Sequence, residues 1–320
     1  MARILVTGGA GFIGGYVCEL LLARGHQVLV LDNESTGKKA NVPSEAVYRV
    51  GDVRDSGALD GAFAFGGGLD AVYHIAGQAS IRLSYSDPAA DLGVNTMGTV
   101  NVLQACIKYR VPRLLFASSM TVYGAEPPAP TPETTDTKPI SYYAITKLAA
   151  EHYVMATALR PDLDFDLRVT AFRMFNVYGP RQSLTNAYQG VFAIFVGNVL
   201  RGEPITIYSD GEQSRDFVHV RDVARAWGDA LDAQDSVGQV INIGTGVPTS
   251  VNTLADTVLA AFGHTRESYP VQYRPAHAGD MRVSRADIQR AANLLNWKPM
   301  IPVTEGMTET IAWAKGQFAP

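Results

Sequence analysis

At 320 residues the chain has ample material for a core and forms either one large domain or two small ones. Charged residues are 18% and the formal net charge is −4, with no basic run, which argues against nucleic acid or an anionic membrane as a partner. The two cysteines, Cys18 and Cys106, have no metal-ligand spacing and sit in apolar helical patterns, so they read as reduced core residues of a cytoplasmic protein with no metal site.

The chain opens Met1-Ala2-Arg3-Ile4-Leu5-Val6-Thr7, a strand pattern rather than a signal peptide. Gly197 and Asn198 interrupt the best apolar stretch before it reaches the roughly 18 residues of a membrane span. Strands are expected at 3–7, 27–31, 46–50, 70–75, 112–117 and 165–172, with helices near 12–24, 89–109 and 141–159. Short apolar runs alternating with helical patterns are the mark of parallel βαβ units. The second half carries helical patterns at 188–201, 221–233, 250–262 and 303–316 and strands near 205–208 and 239–243. The expected class is α/β: a doubly wound parallel sheet over 1–172, onto which 217–246 pack back, and a smaller mixed α/β lobe from 173–216 and 247–320.

Strand 3–7 runs into Gly8-Gly9-Ala10-Gly11-Phe12-Ile13-Gly14 and then a helix. Glycines at this spacing let the backbone turn sharply and approach a pyrophosphate, whose charge sits on the helix N-terminus; this is the Rossmann dinucleotide pattern. Asp32 closes the second strand, where a carboxylate accepts the adenosine ribose hydroxyls and repels a 2′-phosphate. Asn33 rather than arginine follows, so NAD is expected over NADP. Asp52-Val53 closes the third strand; Asp52 reads either as a contact to the adenine amino group or as a helix N-cap. Ile75-Ala76-Gly77-Gln78 follows the fourth strand at the sheet edge where ligands of such folds lie.

Tyr143 and Lys147 stand four apart in a helical pattern and share a face. A free tyrosine has a pKa of about 10 and is roughly 0.1% phenolate at pH 7. An ammonium ~5 Å away at an effective ε of ~20 is worth about 3 kcal/mol, or roughly two pKa units. The expectation is therefore a tyrosine made basic by its lysine. The fifth strand ends Ser118-Ser119-Met120-Thr121-Val122-Tyr123-Gly124, where hydroxyls either bond a sugar oxygen or form local turns.

The glycine pattern, Asp32, S-S-x-x-V-Y-G, Y-x-x-x-K, Phe172-Arg173-Met174-Phe175-Asn176-Val177-Tyr178-Gly179-Pro180-Arg181-Gln182, Ser214-Arg215-Asp216-Phe217-Val218-His219-Val220 and Asn242-Ile243-Gly244-Thr245-Gly246 occur in order. Together they resemble the extended short-chain dehydrogenases that act on nucleotide sugars, over nearly the whole chain. The resemblance implies that Tyr143 is the base, that Lys147 holds the nicotinamide ribose and lowers the tyrosine pKa, that Ser119 shares the sugar O4 proton, and that Thr121 and Met120 lie against the sugar. It implies further cofactor contacts at Asn95, Ala117 and Phe175, pyrophosphate contacts at Asn176 and Arg215, and a uracil pocket at Ile207 and Tyr208. His277 stands where the family carries arginine in R-x-G-D, ahead of Asp280 in the same nucleotide-binding segment. By the same resemblance, the helices near 89–109 and 141–159 form a homodimer interface, although a buried core explains their apolar stripes equally.

Dehydratases of the family carry Asp-Glu before V-Y-G and its uronate decarboxylases carry Glu at the Thr121 position, whereas this chain has Met120-Thr121. Without that general acid, the resemblance implies reversible oxidation at sugar C4: a 4-epimerase of a UDP-sugar with NAD held through turnover. UDP-glucose/galactose and UDP-glucuronate/galacturonate rank together, Arg82 and Arg181 being candidate partners of a uronate carboxylate. Ser284, where glucose-restricted relatives carry tyrosine, leaves room for an N-acetylhexosamine. A net NAD(P)H-dependent reductase of 4-keto sugars is the other enzymatic alternative.

Overall fold

Strands of near-continuous apolar residues demand burial on both faces, and the chain provides it by laying them side by side in parallel. The computed structural model describes residues 1–64, 67–184, 190–276 and 281–317, so His277 and Asp280 lie outside the described residues. The strands are β1 Arg3–Thr7, β2 Gln27–Asp32, β3 Val47–Val50, β4 Ala71–His74, β5 Arg113–Ser119, β6 Arg168–Met174, β7 Asn176–Tyr178, β8 Ile205–Tyr208, β9 Ser214–His219, β10 Gln239–Ile243, β11 Pro248–Ser250 and β12 Val271–Arg274. Seven of them form the main sheet in the order β3-β2-β1-β4-β5-β6-β10, every pair parallel. Alternation splits the core into two layers. Ile4 and Val6 of β1 join Val17, Leu21, Tyr73 and Trp227 on one face. Leu5 joins Leu29, Leu59, Val102 and Leu114 on the other.

The chain leaves β1 toward β2 on one side and reaches β4 on the other, so the order reverses between β1 and β4. A crevice must open at their C-terminal ends, since the loops diverge there. Gly8, at φ +74°, makes the turn. A Cβ on it would lie 2.6 Å from the Ala76 nitrogen, and Ala76 N–H donates to the Thr7 carbonyl at 2.9 Å. The two loops are thus pressed together, and only glycine fits between them.

The smaller lobe is built from β7, β9 and β11 in one sheet and β8 paired parallel with β12 in another. They pack with helices Val191–Leu200, Val251–Ala261 and Val303–Gln317 around Phe195, Ile207, Phe217, Leu254 and Met307. The expected helix 89–109 is interrupted: Pro88–Leu92, a wide turn at Gly93–Met97 with π-type bonding, then Gly98–Lys108. Strands β7, β9, β11 and β12 are not among the expected ones; β7 and β11 have three residues each, and all four pair with strands distant in the chain that supply their hydrogen bonds. No helix among the described residues is long and apolar enough to cross a membrane.

Gly14, in the first turn of helix Phe12–Ala23, carries the same constraint further. A Cβ there would sit 2.1 Å from the Gly8 carbonyl oxygen, a backbone atom unable to yield without moving the turn. Gly14→Ala is expected to cost about 2 kcal/mol or more in stability and to lose bound dinucleotide, read by urea denaturation and by cofactor content of the purified protein.

Candidate active site

Gly11 is the N-cap residue of helix Phe12–Ala23 and offers no side-chain cap, so no side chain competes for the first-turn amide groups around Phe12 and Ile13. They face the crevice as an anion site. Asp32, at the tip of β2, is 7% exposed and accepts from Ala10 N–H at 3.0 Å and Glu34 N–H at 2.8 Å. Burial raises its pKa, while a carboxylate with two such bonds keeps further lone pairs for hydroxyl donors. An uncapped helix start, a glycine cradle and a strand-end carboxylate fit a dinucleotide diphosphate with free ribose hydroxyls. Ile75, Ala76 and Gly77 continue the floor of the crevice beyond β4, and Ala117 does so in β5. Phe175 is buried against Met120, Tyr123 and Met281.

Helix Tyr142–Ala158 starts at Ser141, whose hydroxyl accepts from Ala144 N–H at 3.1 Å. Tyr143, Lys147 and Glu151 follow at four-residue spacing on the face toward β5 and β6. Lys147 is buried, its Nζ 4.7 Å from the centre of the Phe116 ring. A Cβ on Gly77 would come within 3.6 Å of that nitrogen, which places the ammonium at the C-terminal edge of β4 and β5. Tyr143 is half-buried and hydrogen-bonds Ser119. Ser119 Oγ also accepts from Thr121 Oγ1 at 3.0 Å and Thr121 N–H at 3.3 Å. Tyr143, Ser119 and Thr121 therefore form one connected hydroxyl cluster, with Lys147 behind it.

The expected lowering of the Tyr143 pKa is corrected by the structure. Burial raises the tyrosine, and Asp91 adds to the rise; the Ser119 bond opposes both. Burial pulls Lys147 down to about 8, against Asp91 and Glu151. Desolvation disfavours both charged forms, so proximity alone does not create a phenolate–ammonium pair.

The other expected contact residues have the following surroundings. Asp52 has all four lone-pair directions filled: Arg54 N–H, Nε and Nη2 at 2.8, 3.0 and 2.7 Å, and Asn33 Nδ2 at 2.8 Å. It is not the helix N-cap, a role taken by Asp55, and meeting adenine requires Asn33 or Arg54 to let go. Val53 turns its side chain into the core against Gly98. Arg181 pairs with Glu19 at 2.7 Å and stacks on Tyr16 at 4.5 Å. It lines a cleft of about 930 Å³ between helix Phe12–Ala23 and Trp313 rather than the hydroxyl cluster. The Ile207 side chain is 0% exposed in the core of the lobe, because strand alternation sends Ile205 and Ile207 inward and leaves only Thr206 and Tyr208 half-exposed. Arg82 is exposed on helix Ile81–Ser86. Asn176 Nδ2 donates to the Asp216 carbonyl at 3.4 Å. Arg215 Nη1 donates to the Met281 carbonyl at 2.7 Å and ties down the segment that begins there.

Asn95 and Gln78 act on each other. Asn95 Oδ1 accepts from Gln78 N–H at 2.9 Å, and Asn95 Nδ2 donates to the Gln78 carbonyl and to Asp91 Oδ1 at 3.1 and 3.0 Å. The sequence reading omits Asp91, Glu151 and His74. Glu151 had a signal, four residues beyond Lys147 on its face; its carboxylate is 2% exposed and holds Arg173 at 2.6 Å and Ser118 Oγ at 2.6 Å. Asp91 had none, since the π-type turn determines what it meets. His74 is sandwiched between Thr7 Oγ1 at 2.7 Å and Thr99 Oγ1 at 3.0 Å. Thr99 donates to the Asn95 carbonyl at 2.6 Å, so it accepts from His74 Nε2–H, and Thr7 donates to Nδ1.

A parallel sheet with a dinucleotide crevice and a Ser–Tyr–Lys cluster at its edge defines a nicotinamide-dependent oxidoreductase-type site. The model of the NAD dependent epimerase/dehydratase family matches residues 4–244, and the chain belongs to that family. It is 36% identical over 321 residues to the UDP-glucose 4-epimerase of Mycolicibacterium smegmatis, covering 98% of this chain and 99% of that one. The structure of the UDP-glucose 4-epimerase of Thermotoga maritima with UDP-glucose superposes with a TM-score of 0.92 at 37% identity, covering 99% of this chain and 100% of that one. The Thermus thermophilus UDP-glucose 4-epimerase in complex with NAD gives 0.88 at 37% identity, covering 98% of this chain and 99% of that one.

Burial holds His74 down at about 3 and His219 at about 4, against 6.5 for an unfolded histidine. Between pH 6.5 and 3 the unfolded chain binds protons that the folded chain refuses, so stability is full above 6.5 and falls as pH drops. Urea midpoints measured across that window are expected to decline, and less steeply for His74→Asn.

Proposed function

We propose that the protein is an NAD-dependent 4-epimerase of a UDP-hexose, with UDP-glucose/UDP-galactose the first pair to test. The observation that carries this is the cluster of Tyr143, Ser119, Thr121 and Lys147 without a carboxylate on the Met120–Tyr123 turn. Tyr143 removes the C4 hydroxyl proton and later returns one, while Ser119 bonds the same oxygen. NAD, when bound, supplies the acceptor and then the donor of the C4 hydride. With no general acid placed on that turn to expel a leaving group, the chain's own residues support proton exchange at C4 and reversal on the other face. Relatives whose structures hold UDP-glucose or NAD support the substrate class and the cofactor.

The engagement of Arg181 by Glu19 and Tyr16 removes one of the two cations read as uronate partners, which favours a neutral hexose. Ser284 is fully buried with its Oγ unpartnered, and it is small enough to keep UDP-N-acetylglucosamine in the assay. The purified protein, incubated without added NAD with UDP-glucose, UDP-glucuronate or UDP-N-acetylglucosamine, is expected to invert C4 of UDP-glucose by NMR. Inversion of none of the three overturns the reading, and activity that depends on added NADH points instead to a net reductase. Tyr143→Phe is expected to lower kcat by about 10³-fold while retaining bound NAD.

We also infer a homodimer. Leu92, Met97, Tyr142, Ile145 and Tyr153, each about half exposed, are large apolar side chains on segments 88–108 and 142–158, which flank the site. Sedimentation is expected to show a dimer that Ile145→Glu weakens; a wild-type monomer at micromolar concentration would sink this.

A further inference from the structure

The epimerase reading needs Lys147 charged where burial discourages charge. Two carboxylates act on it electrostatically. Glu151, on its own helix, is already neutralised by Arg173 of β6, which grips it through Nη2 at 2.6 Å and Nε at 3.0 Å. Asp91, on helix Pro88–Leu92, is 1% exposed and has no ion-pair partner in contact among the described residues. Three neutral donors hold it: Gln78 Nε2 at 2.7 Å, Asn95 Nδ2 at 3.0 Å and Thr146 Oγ1 at 2.7 Å. Thr146 directly precedes Lys147, and Asn95 and Gln78 belong to the crevice floor beside it. Such an anion is costly to bury unless a cation compensates it.

We propose that Asp91 is a positioning residue for the reaction: its carboxylate, fixed by Thr146, Asn95 and Gln78, is the counter-charge that keeps Lys147 an ammonium beside Tyr143. The groups facing Lys147 are Tyr143 and Glu151 from its own helix, Asp91 from helix Pro88–Leu92 and His74 from β4, with Arg173 behind Glu151. Burial keeps His74 neutral, and Arg173 cancels Glu151. Asp91 is therefore the one uncompensated anion among them. Asp91 is the leading opponent of desolvation at Lys147, and it raises Tyr143 as well. Asp91 thus favours the protonated form of the lysine. Tyrosine and lysine titrate as one coupled pair, so removing a nearby anion makes the pair lose its first proton at lower pH, whichever member releases it.

This inference rests on the epimerase reading, and the test separates the two. The kcat–pH profile of C4 epimerisation is measured for wild type, Asp91→Asn, Asp91→Glu and Thr146→Val, with bound NAD and circular dichroism recorded for each. Asp91→Asn keeps the shape and removes the charge. Its acidic limb is expected to move to lower pH and its plateau kcat to fall by about tenfold, a one-unit change in the preference for lysine as proton holder. Bound NAD should be unchanged. Asp91→Glu, which restores the charge, should return the limb toward wild type. Thr146→Val, which removes one of the three donors that fix the carboxylate, should move the limb part of the way in the same direction as Asp91→Asn. A folded, NAD-loaded Asp91→Asn protein with the wild-type limb overturns the proposal. If that variant does not fold, a folded Thr146→Val protein with the wild-type limb overturns it instead. Wild type that inverts C4 of no UDP-sugar overturns the underlying reading.

Discussion

Desolvation of Lys147 is the constraint on which the rest of the site depends. Its ammonium lies at the edge of β4 and β5, against the Phe116 ring and next to the exposed backbone of Gly77. An apolar, strand-end position strengthens electrostatic interactions with anything bound there, and it also pushes the lysine and the tyrosine toward their neutral forms. The surroundings answer with a graded set of anions and hydroxyls. Arg173 cancels Glu151, three neutral donors hold Asp91, and Ser119 draws the Tyr143 hydroxyl into hydrogen-bonding contact.

The same arrangement joins the two halves of the crevice mechanically. His74 links Thr7, which leads into the glycine turn, to Thr99, whose hydroxyl closes onto the Asn95 carbonyl. Asn95 in turn grips the Gln78 backbone on both sides and reaches Asp91. A neutral imidazole with one donor and one acceptor nitrogen suits this chain, because the Thr99 bond to Asn95 leaves only one direction for the other two bonds. The glycine turn, the crevice floor and the lysine helix are thereby held in one register, as an active site that must align a cofactor and a sugar requires.

The seven-stranded sheet was legible because buried parallel strands are continuous apolar runs, and β1, β2 and β10 fall where those runs place them. Helix Tyr142–Ala158 and its Tyr–Lys pair were legible from spacing, and the structure adds the Ser141 cap. The lobe was less so. Its strands β7 and β11 are stabilised by partners distant in sequence, and the helix around Asn95 is broken by a turn whose stability comes from Gln78, Asp91 and Thr146. Its charge made Arg181 a candidate ligand, and the family resemblance implied Ile207. Alternation turned Ile207 inward, and the nearby Glu19 and Tyr16 claimed Arg181.

By itself, the sequence determined the class of fold, the family and the crevice, because glycine spacing, strand-end carboxylates and four-residue helical periods act over a few residues and survive any tertiary detail. Tertiary structure alone decided which charges persist. Whether a tyrosine or lysine is ionised depends on how much water reaches it and which anions lie across the gap. Those are set by helices and strands dozens of residues away: Asp91 before the interrupted helix, Arg173 on β6 and His74 on β4.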